Sequence, residues 1–190
     1  MSSEEVQLVE FDDGALPPLL KYQVLSFLRI VWPDGFTGSL RHRDWITNPE
    51  YDPHHMLYIA GDLVVSHLEV VHRDVTPEGV TYRAYAPTSV LTFPPFRREG
   101  WAGKLVEKAS RWIEESDADL GLICCEPESQ GFYARNSGWD PVPEARIVVG
   151  DDKTRAELTP QVLLACFLTE KSQQHRETFG QAPLWLKDEL

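Results

Sequence analysis

Arg97 and Arg98 are followed at once by Glu99, Gly100, Trp101, Ala102 and Gly103. This run lies between a β-rich stretch ending in Pro94-Pro95 and an amphipathic stretch. Basic side chains beside a glycine turn at the head of a helix make an anion site. Glycine lets the backbone come close, the first N–H groups of a helix lack carbonyl partners, and the helix dipole favours negative charge there. Two familiar phosphate motifs do not fit. A Walker loop reads G-x-x-x-x-G-K-[ST], but only Trp101 and Ala102 separate Gly100 from Gly103-Lys104, and Leu105 follows. The G-x-G-x-x-G spacing of a dinucleotide fingerprint is also missing.

A second constellation follows. Cys125-Glu126-Pro127-Glu128 leads into Ser129-Gln130-Gly131-Phe132-Tyr133, and Gly138-Trp139 comes shortly after. Together the two stretches resemble the GNAT superfamily of acyl-CoA-dependent N-acyltransferases. That pattern is a hydrophobic strand (here Val90-Leu91-Thr92), a proline (Pro94), and then (Q/R)-x-x-G-x-(G/A) opening a helix (Arg97 through Ala102). After the next strand comes a helix carrying F-Y and then G-F or G-W. The likeness covers residues 55–140 well and extends weakly to the aminoglycoside-acetyltransferase-like branch.

The resemblance implies a fold, a co-substrate and roles. It implies a single N-acetyltransferase domain over 1–190, with 1–54 a variable N-terminal part and 170–190 a C-terminal helical tail. Acetyl-CoA would be held by Val90, Leu91, Thr92, Arg97, Arg98, Glu99, Gly100, Trp101, Ala102 and Gly103, with a backbone N–H near Leu91–Phe93 helping the carbonyl oxygen. Tyr133 matches the tyrosine that serves as general acid, and a phenol with a pKa near 10 is protonated at neutral pH. The reaction implied is direct transfer of acetyl to a primary amine in a ternary complex. One departure stands out. Ala134, Arg135, Asn136 and Ser137 separate Tyr133 from Gly138, one residue more than usual, and the extra residue is expected in the turn after the helix.

The amine must lose a proton before or during attack. The motif-strand positions where some relatives keep a base fall near Ala86 and Thr88, which cannot serve. Glu69 is the tentative base, with His67 and His72 on the same strand as substitutes. Glu69 and His67 share strand parity and so a face. Asp52, His54 and His55 are expected near the cleft entrance, Tyr82 and Tyr85 along its wall, and a water-relayed base stays open. Adjacent Cys124 and Cys125 point to opposite faces of a strand, and without a placed histidine partner neither is read as a nucleophile. No spacing of the cysteines resembles a zinc site, and no metal is expected.

The elements that must position these groups follow from periodicity. VQLVEF (6–11) reads as a strand. Pro17-Pro18 opens a helix with Leu20, Val24, Leu25, Phe27, Leu28 and Val31 on one stripe, ended by Pro33. Residues 35–53 read as loop with a short helix such as SLRHRDWI. Met56–Ala60 and Leu63–Val71 flank the hairpin signal Gly61-Asp62, and TPEG joins to VTYRAYAPTSVLTF, giving an antiparallel meander. A helix over Gly100–Glu115, a doubly covered strand LGLICCE, the helix SQGFYARNS, late strands RIVVG and QVLLACFLT, and a helical KSQQHRETFG complete the chain. The order predicts a mixed α+β domain, with a central mixed sheet of six to seven strands flanked by helices.

The net charge of −12 argues against a nucleic-acid partner and mildly favours a small cationic amine as acceptor. The absence of a long apolar run predicts no membrane span. With only Cys124, Cys125 and Cys166, a reducing cytoplasm is expected. The final KDEL is read as coincidence, since no entry signal precedes it. The Trp185-bearing tail is a candidate contact in a homodimer. Two competing functions stand beside the enzyme: a non-catalytic acyl-CoA-binding sensor on the same fold, and a plain scaffold for protein partners.

Overall fold

The computed structural model describes residues 5–12, 14–150, 152 and 154–187. The last residues of the KDEL sequence, beyond Lys187, lie outside them. A mixed sheet of seven strands has the order β1-β2-β3-β4-β5-β9-β6, and a second sheet of three strands has the order β10-β7-β8. The strands are β1 Val6–Asp12, β2 His54–Ala60, β3 Leu63–Val75, β4 Tyr82–Thr92, β5 Leu120–Cys125, β6 Asp140–Pro141, β7 Ile147–Val149, β8 Glu157–Leu158, β9 Val162–Phe167 and β10 Leu184–Leu186. The helices are α1 Pro18–Val31, α2 Trp101–Glu114, α3 Gln130–Ser137, α4 Glu170–Gln174 and α5 Thr178–Gln181. The chain forms two compact units: one runs to Val71 and includes Ser89–Leu105, and the other holds His72–Thr88 and everything from Val106.

In the first unit β1 pairs antiparallel with β2, Val6 facing Ala60. The β2–β3 hairpin turns at Gly61, which has φ 57°, as its sequence predicts. The apolar stripe of α1 supplies Leu20, Val24, Leu25, Phe27 and Leu28 to a core with Phe36, Ile46, Leu57, Val64 and Leu91. Val31, expected on that stripe, is 40% exposed, because the helix ends there. Gln23 ties α1 to the hairpin: its side chain accepts from Val64 N–H at 3.0 Å and donates to the Asp62 carbonyl at 2.7 Å. The expected short helix near SLRHRDWI is a 3-10 turn over Gly38–His42, beside others at Pro33–Phe36 and Pro49–Tyr51.

In the second unit β5 pairs parallel with β4 at Ala84/Leu120 and Tyr85/Gly121, and antiparallel with β9 along its whole length. Two-sided cover of β5, legible in its continuous apolar run, is what a central strand requires. The late strand RIVVG joins the small sheet: β10 pairs parallel with β7, and β8 antiparallel with it. The expected helical tail is helical only in α4 and α5 and then becomes β10. Alternation in Leu184-Trp185-Leu186 buries both leucines, and the Trp185 indole N–H donates to the Gly150 carbonyl at 2.9 Å. No helix among the described residues is long and apolar enough to cross a membrane.

Candidate active site

The turn that opens α2 lies in the first unit. Strand β4 ends at Thr92, and a 3-10 turn over Pro94–Phe96 follows. Arg97 folds back so that its Nε donates to the Thr92 carbonyl at 3.2 Å. Arg98 (φ 69°) and Gly100 (φ 83°) both take left-handed backbone, which glycine adopts freely and arginine only at a cost. Lys104 makes the first helical hydrogen bond, to the Gly100 carbonyl at 3.1 Å. The N–H groups of Trp101, Ala102 and Gly103 therefore head the helix without carbonyl partners inside it. Arg97, Arg98, Glu99 and Gly100 are exposed. The Trp101 indole is fixed by Glu99 at 3.0 Å, by Tyr58 at 4.8 Å between ring centroids and by the Lys104 ammonium at 4.1 Å. A left-handed turn, exposed arginines and small residues at a helix start match what an anionic pyrophosphate requires.

Val90, Leu91 and Thr92 lead into this turn. Ser66 Oγ donates to the Leu91 carbonyl at 2.7 Å and lies 2.9 Å from Thr92 Oγ1. Just before them Ser89 has φ 51°, a left-handed break inside the strand. The resemblance puts the helping backbone N–H near Leu91–Phe93, and no sequence signal marks the break at Ser89.

Glu69, His67 and His55 come together in the same unit, all buried. In register His55 faces Glu69 and Leu57 faces His67 across β2 and β3, so all three side chains share one face. His55 Nδ1 lies 3.1 Å from Glu69 Oε2 and 3.3 Å from His67 Nε2. Thr47 Oγ1 donates to Glu69 Oε1, and His67 Nδ1 lies 3.0 Å from the Ser89 carbonyl. Burial drives His67 down to about 4, so its ring is neutral at pH 7. Burial opposes ionisation of Glu69, yet the adjacent His55 imidazole, together with His67 and Thr47, holds its carboxyl below the usual range. The parity of Glu69 and His67 was legible, whereas the partnership with His55 and Thr47 was not, because it depends on register and on a loop. His54 instead meets Asp12 at 2.9 Å and Glu10 at 3.2 Å, and Asp52 ends a 3-10 turn with φ 47°.

Tyr133 belongs to the second unit. It is half-buried on α3, edge-on to Phe132 at 5.1 Å, and burial with the neighbouring Cys125 pushes its phenol up to about 12. The extra residue before Gly138 lies inside α3 and not in the turn after it. The helix runs through Ser137, and Gly138, with φ 75°, caps it through its N–H to the Ala134 carbonyl at 3.0 Å. Burial pushes the thiols of Cys124 and Cys125 up to about 12 and about 11, which leaves neither as a thiolate nucleophile. Tyr82 packs on Phe179 at 5.4 Å and Tyr85 bonds Asp117 at 3.0 Å, so both have structural partners. His72 lies edge-on to Tyr85 at 5.4 Å. A cavity of about 270 Å³ in this unit is lined by Asp140, Val142, Ala165, Phe167 and Arg176 among others, and by none of the candidate residues.

No protein-family model matches the chain, and no curated protein does. Solved structures do. An aminoglycoside 6'-N-acetyltransferase complexed with coenzyme A is 16% identical with a TM-score of 0.58, over 86% of this chain and 97% of that one. An acyl-CoA N-acyltransferase from Pseudomonas aeruginosa is 16% identical with a TM-score of 0.56, over 85% and 99%. A conserved protein of Enterococcus faecalis V583, described as a probable N-acyltransferase, is 13% identical with a TM-score of 0.54 over 75% of this chain, which spans only 33% of that longer one. The chain has the mixed α+β fold of the GNAT N-acetyltransferases.

Proposed function

We propose that this protein is an acyl-CoA-dependent N-acyltransferase that moves an acetyl group from acetyl-CoA to a primary amine of a small cationic molecule. The observation that carries the reading is the turn from Arg97 to Gly103, left-handed at Arg98 and Gly100 and opening directly into α2. Its arginines and helix-start N–H groups would hold the pyrophosphate, and Val90, Leu91 and Thr92 would line the acyl arm. Acetyl-CoA supplies an activated acyl carbon, which forms a C–N bond with the amine as the C–S bond breaks. Tyr133 keeps its O–H at neutral pH and would give that proton to the departing sulfur. Glu69 has no exposed surface and is bound by Thr47 and His55, so an amine proton reaches it only through a partner. This burial favours loss of the amine proton to solvent over direct removal by Glu69. The charge of −12 favours a cationic acceptor.

Thermal unfolding with and without acetyl-CoA tests the binding half. A ligand at 100 times its Kd stabilises the fold by about 2.7 kcal/mol, and Gly100→Glu should abolish the shift. An amine panel of aminoglycosides, polyamines and peptide N-termini, read by release of the free thiol, tests the transfer half. Binding without transfer to any amine would leave the sensor reading, and no binding at millimolar acetyl-CoA would remove both.

A further inference from the structure

The hydrogen bonds of the buried triad His55, His67 and Glu69 cannot all be satisfied at once. The Ser89 carbonyl can only accept, so the His67 Nδ1 at 3.0 Å from it carries the hydrogen. A neutral His67 then presents a bare Nε2 to His55 Nδ1 at 3.3 Å. Glu69 Oε2 presents a second acceptor to the same nitrogen at 3.1 Å. His55 Nδ1 owns at most one hydrogen, which leaves either His67 Nε2 or Glu69 Oε2 without a donor. Protonating His67 does not help, because its Nε2–H would then require a bare His55 Nδ1, which faces the carboxylate lone pairs. Glu69 Oε2 indeed has no well-directed hydrogen bond, although its side chain is fully buried, and buried polar atoms seldom go unsatisfied.

We propose that His55 Nδ1, His67 Nε2 and Glu69 Oε2 are the ligands of a divalent transition-metal site of the zinc class. Two imidazoles and a carboxylate are a donor set that zinc accepts, and one cation satisfies all three lone pairs at once. Zinc–ligand bonds of about 2.0–2.2 Å at tetrahedral angles put ligand atoms roughly 3.3 Å apart. Two of the edges are 3.1 and 3.3 Å, and all three atoms lie within 4.8 Å of one another. The outer partners also fit. His67 gives its other N–H to a backbone carbonyl, and the free oxygen of Glu69 accepts from Thr47, the arrangement that fixes the tautomer and orientation of metal ligands. Such a metal would clamp β2 to β3 and, through Thr47 and Ser89, the loop and strand beside them. The site runs against the sequence expectation of no metal, because its ligands are brought together by strand register and not by a short motif. It does not depend on acyl transfer.

The full chain without a histidine tag, stripped with chelator, is titrated with Co²⁺ and then Zn²⁺. One equivalent of cobalt with visible d–d absorption, displaced by zinc, and a metal-dependent rise in Tm are expected. His54→Ala should leave this unchanged, since His54 sits with Glu10 and Asp12 in a separate group. Glu69→Gln and His67→Gln should lose at least about 100-fold in affinity. Thr47→Val should lose about 10–100-fold, as outer partners do, and it keeps the test valid if the ligand variants fail to fold. Folded wild-type protein that retains neither metal at micromolar concentration overturns the proposal. So does binding that disappears in His54→Ala and persists undiminished in Thr47→Val. Neither result touches the acetyl-CoA shift, which reports on the other reading alone.

Discussion

The Ser89 carbonyl oxygen meets His67 Nδ1 at 3.0 Å, and it does so from a left-handed backbone, φ 51°. A non-glycine residue in that region costs about 1–2 kcal/mol, and a strand normally avoids it. The conformation persists because the strand on either side is held: His67 takes the Ser89 carbonyl, and Ser66 takes the Leu91 carbonyl at 2.7 Å. Ser89→Gly removes the steric cost while adding about 0.5–1 kcal/mol of chain entropy, so a gain of up to about 1.5 kcal/mol is expected in chemical denaturation. Ser89→Val, branched at Cβ, should instead lose about 1–2 kcal/mol. Equal effects of the two variants would mean that the backbone there is relaxed.

Gly121 and Trp139 form a second contact that permits no alternative residue. A Cβ at Gly121 would lie 2.3 Å from Cη2 at the edge of the Trp139 six-membered ring, closer than real side chains approach. The ring cannot slide aside freely, since Trp139 is buried and its indole N–H is held by Glu114 at 2.8 Å. Gly121→Ala should therefore destabilise by about 1–3 kcal/mol, as overpacking does. In the Trp139→Leu background the same substitution should cost much less, and the coupling in a double-mutant cycle is the readout.

The meander, α1, α2 and the β5–α3 unit were legible because each rests on local signals: a Gly-Asp turn, prolines at helix ends, and clean 3.6 or 2 periodicity. The turn that opens α2 was legible for the same reason, since Arg97, Gly100 and Ala102 lie within one short motif. What the sequence hid depends on long-range register. β10 is too short to show periodicity until it pairs with β7. The place of the extra residue in α3 was decided by Gly138, whose left-handed cap lets the helix run on through Ser137. Glu69 could be nominated from parity, but its ties to Thr47 and His55 join residues far apart in sequence. That burial alters which chemistry it can perform.

Asp119 gives the second unit a pH-dependent contribution to stability. Burial opposes its ionisation, but Lys171 at 2.8 Å, the Arg83 N–H at 3.0 Å and Thr169 at 3.0 Å hold its carboxyl below the ordinary value. A carboxyl depressed in the folded state contributes stability that is fully present above its unfolded pKa near 3.9. That contribution fades as pH falls through the lower folded value. Asp119→Ala should cost about 1–3 kcal/mol at pH 7, and the gap from wild type should shrink steadily below about pH 4. A gap that stays constant down to the acid transition would show that the packing of Asp119, and not its charge, carries the effect.

Tyr133 tests the proposed chemistry most directly. Its phenol, raised to about 12 by burial and by Cys125, stays protonated across the range in which amines become free bases. A proton donor that weak gives up its hydrogen to a thiolate only as the C–S bond breaks, so its contribution belongs at the low end of general-acid effects, about 10²-fold. Tyr133→Phe should lower kcat by about that factor while the acetyl-CoA thermal shift stays unchanged, because the proposed pyrophosphate contacts lie on Arg97–Gly103. The wild-type rate should rise with the free-amine fraction of the acceptor and show no fall near pH 10, where an unperturbed tyrosine ionises. A basic limb near pH 10 that vanishes in Tyr133→Phe would place the phenol in water, against the burial seen on α3. A rate unaffected by the substitution would take the tyrosine out of the transfer step and assign protonation of the sulfur to solvent.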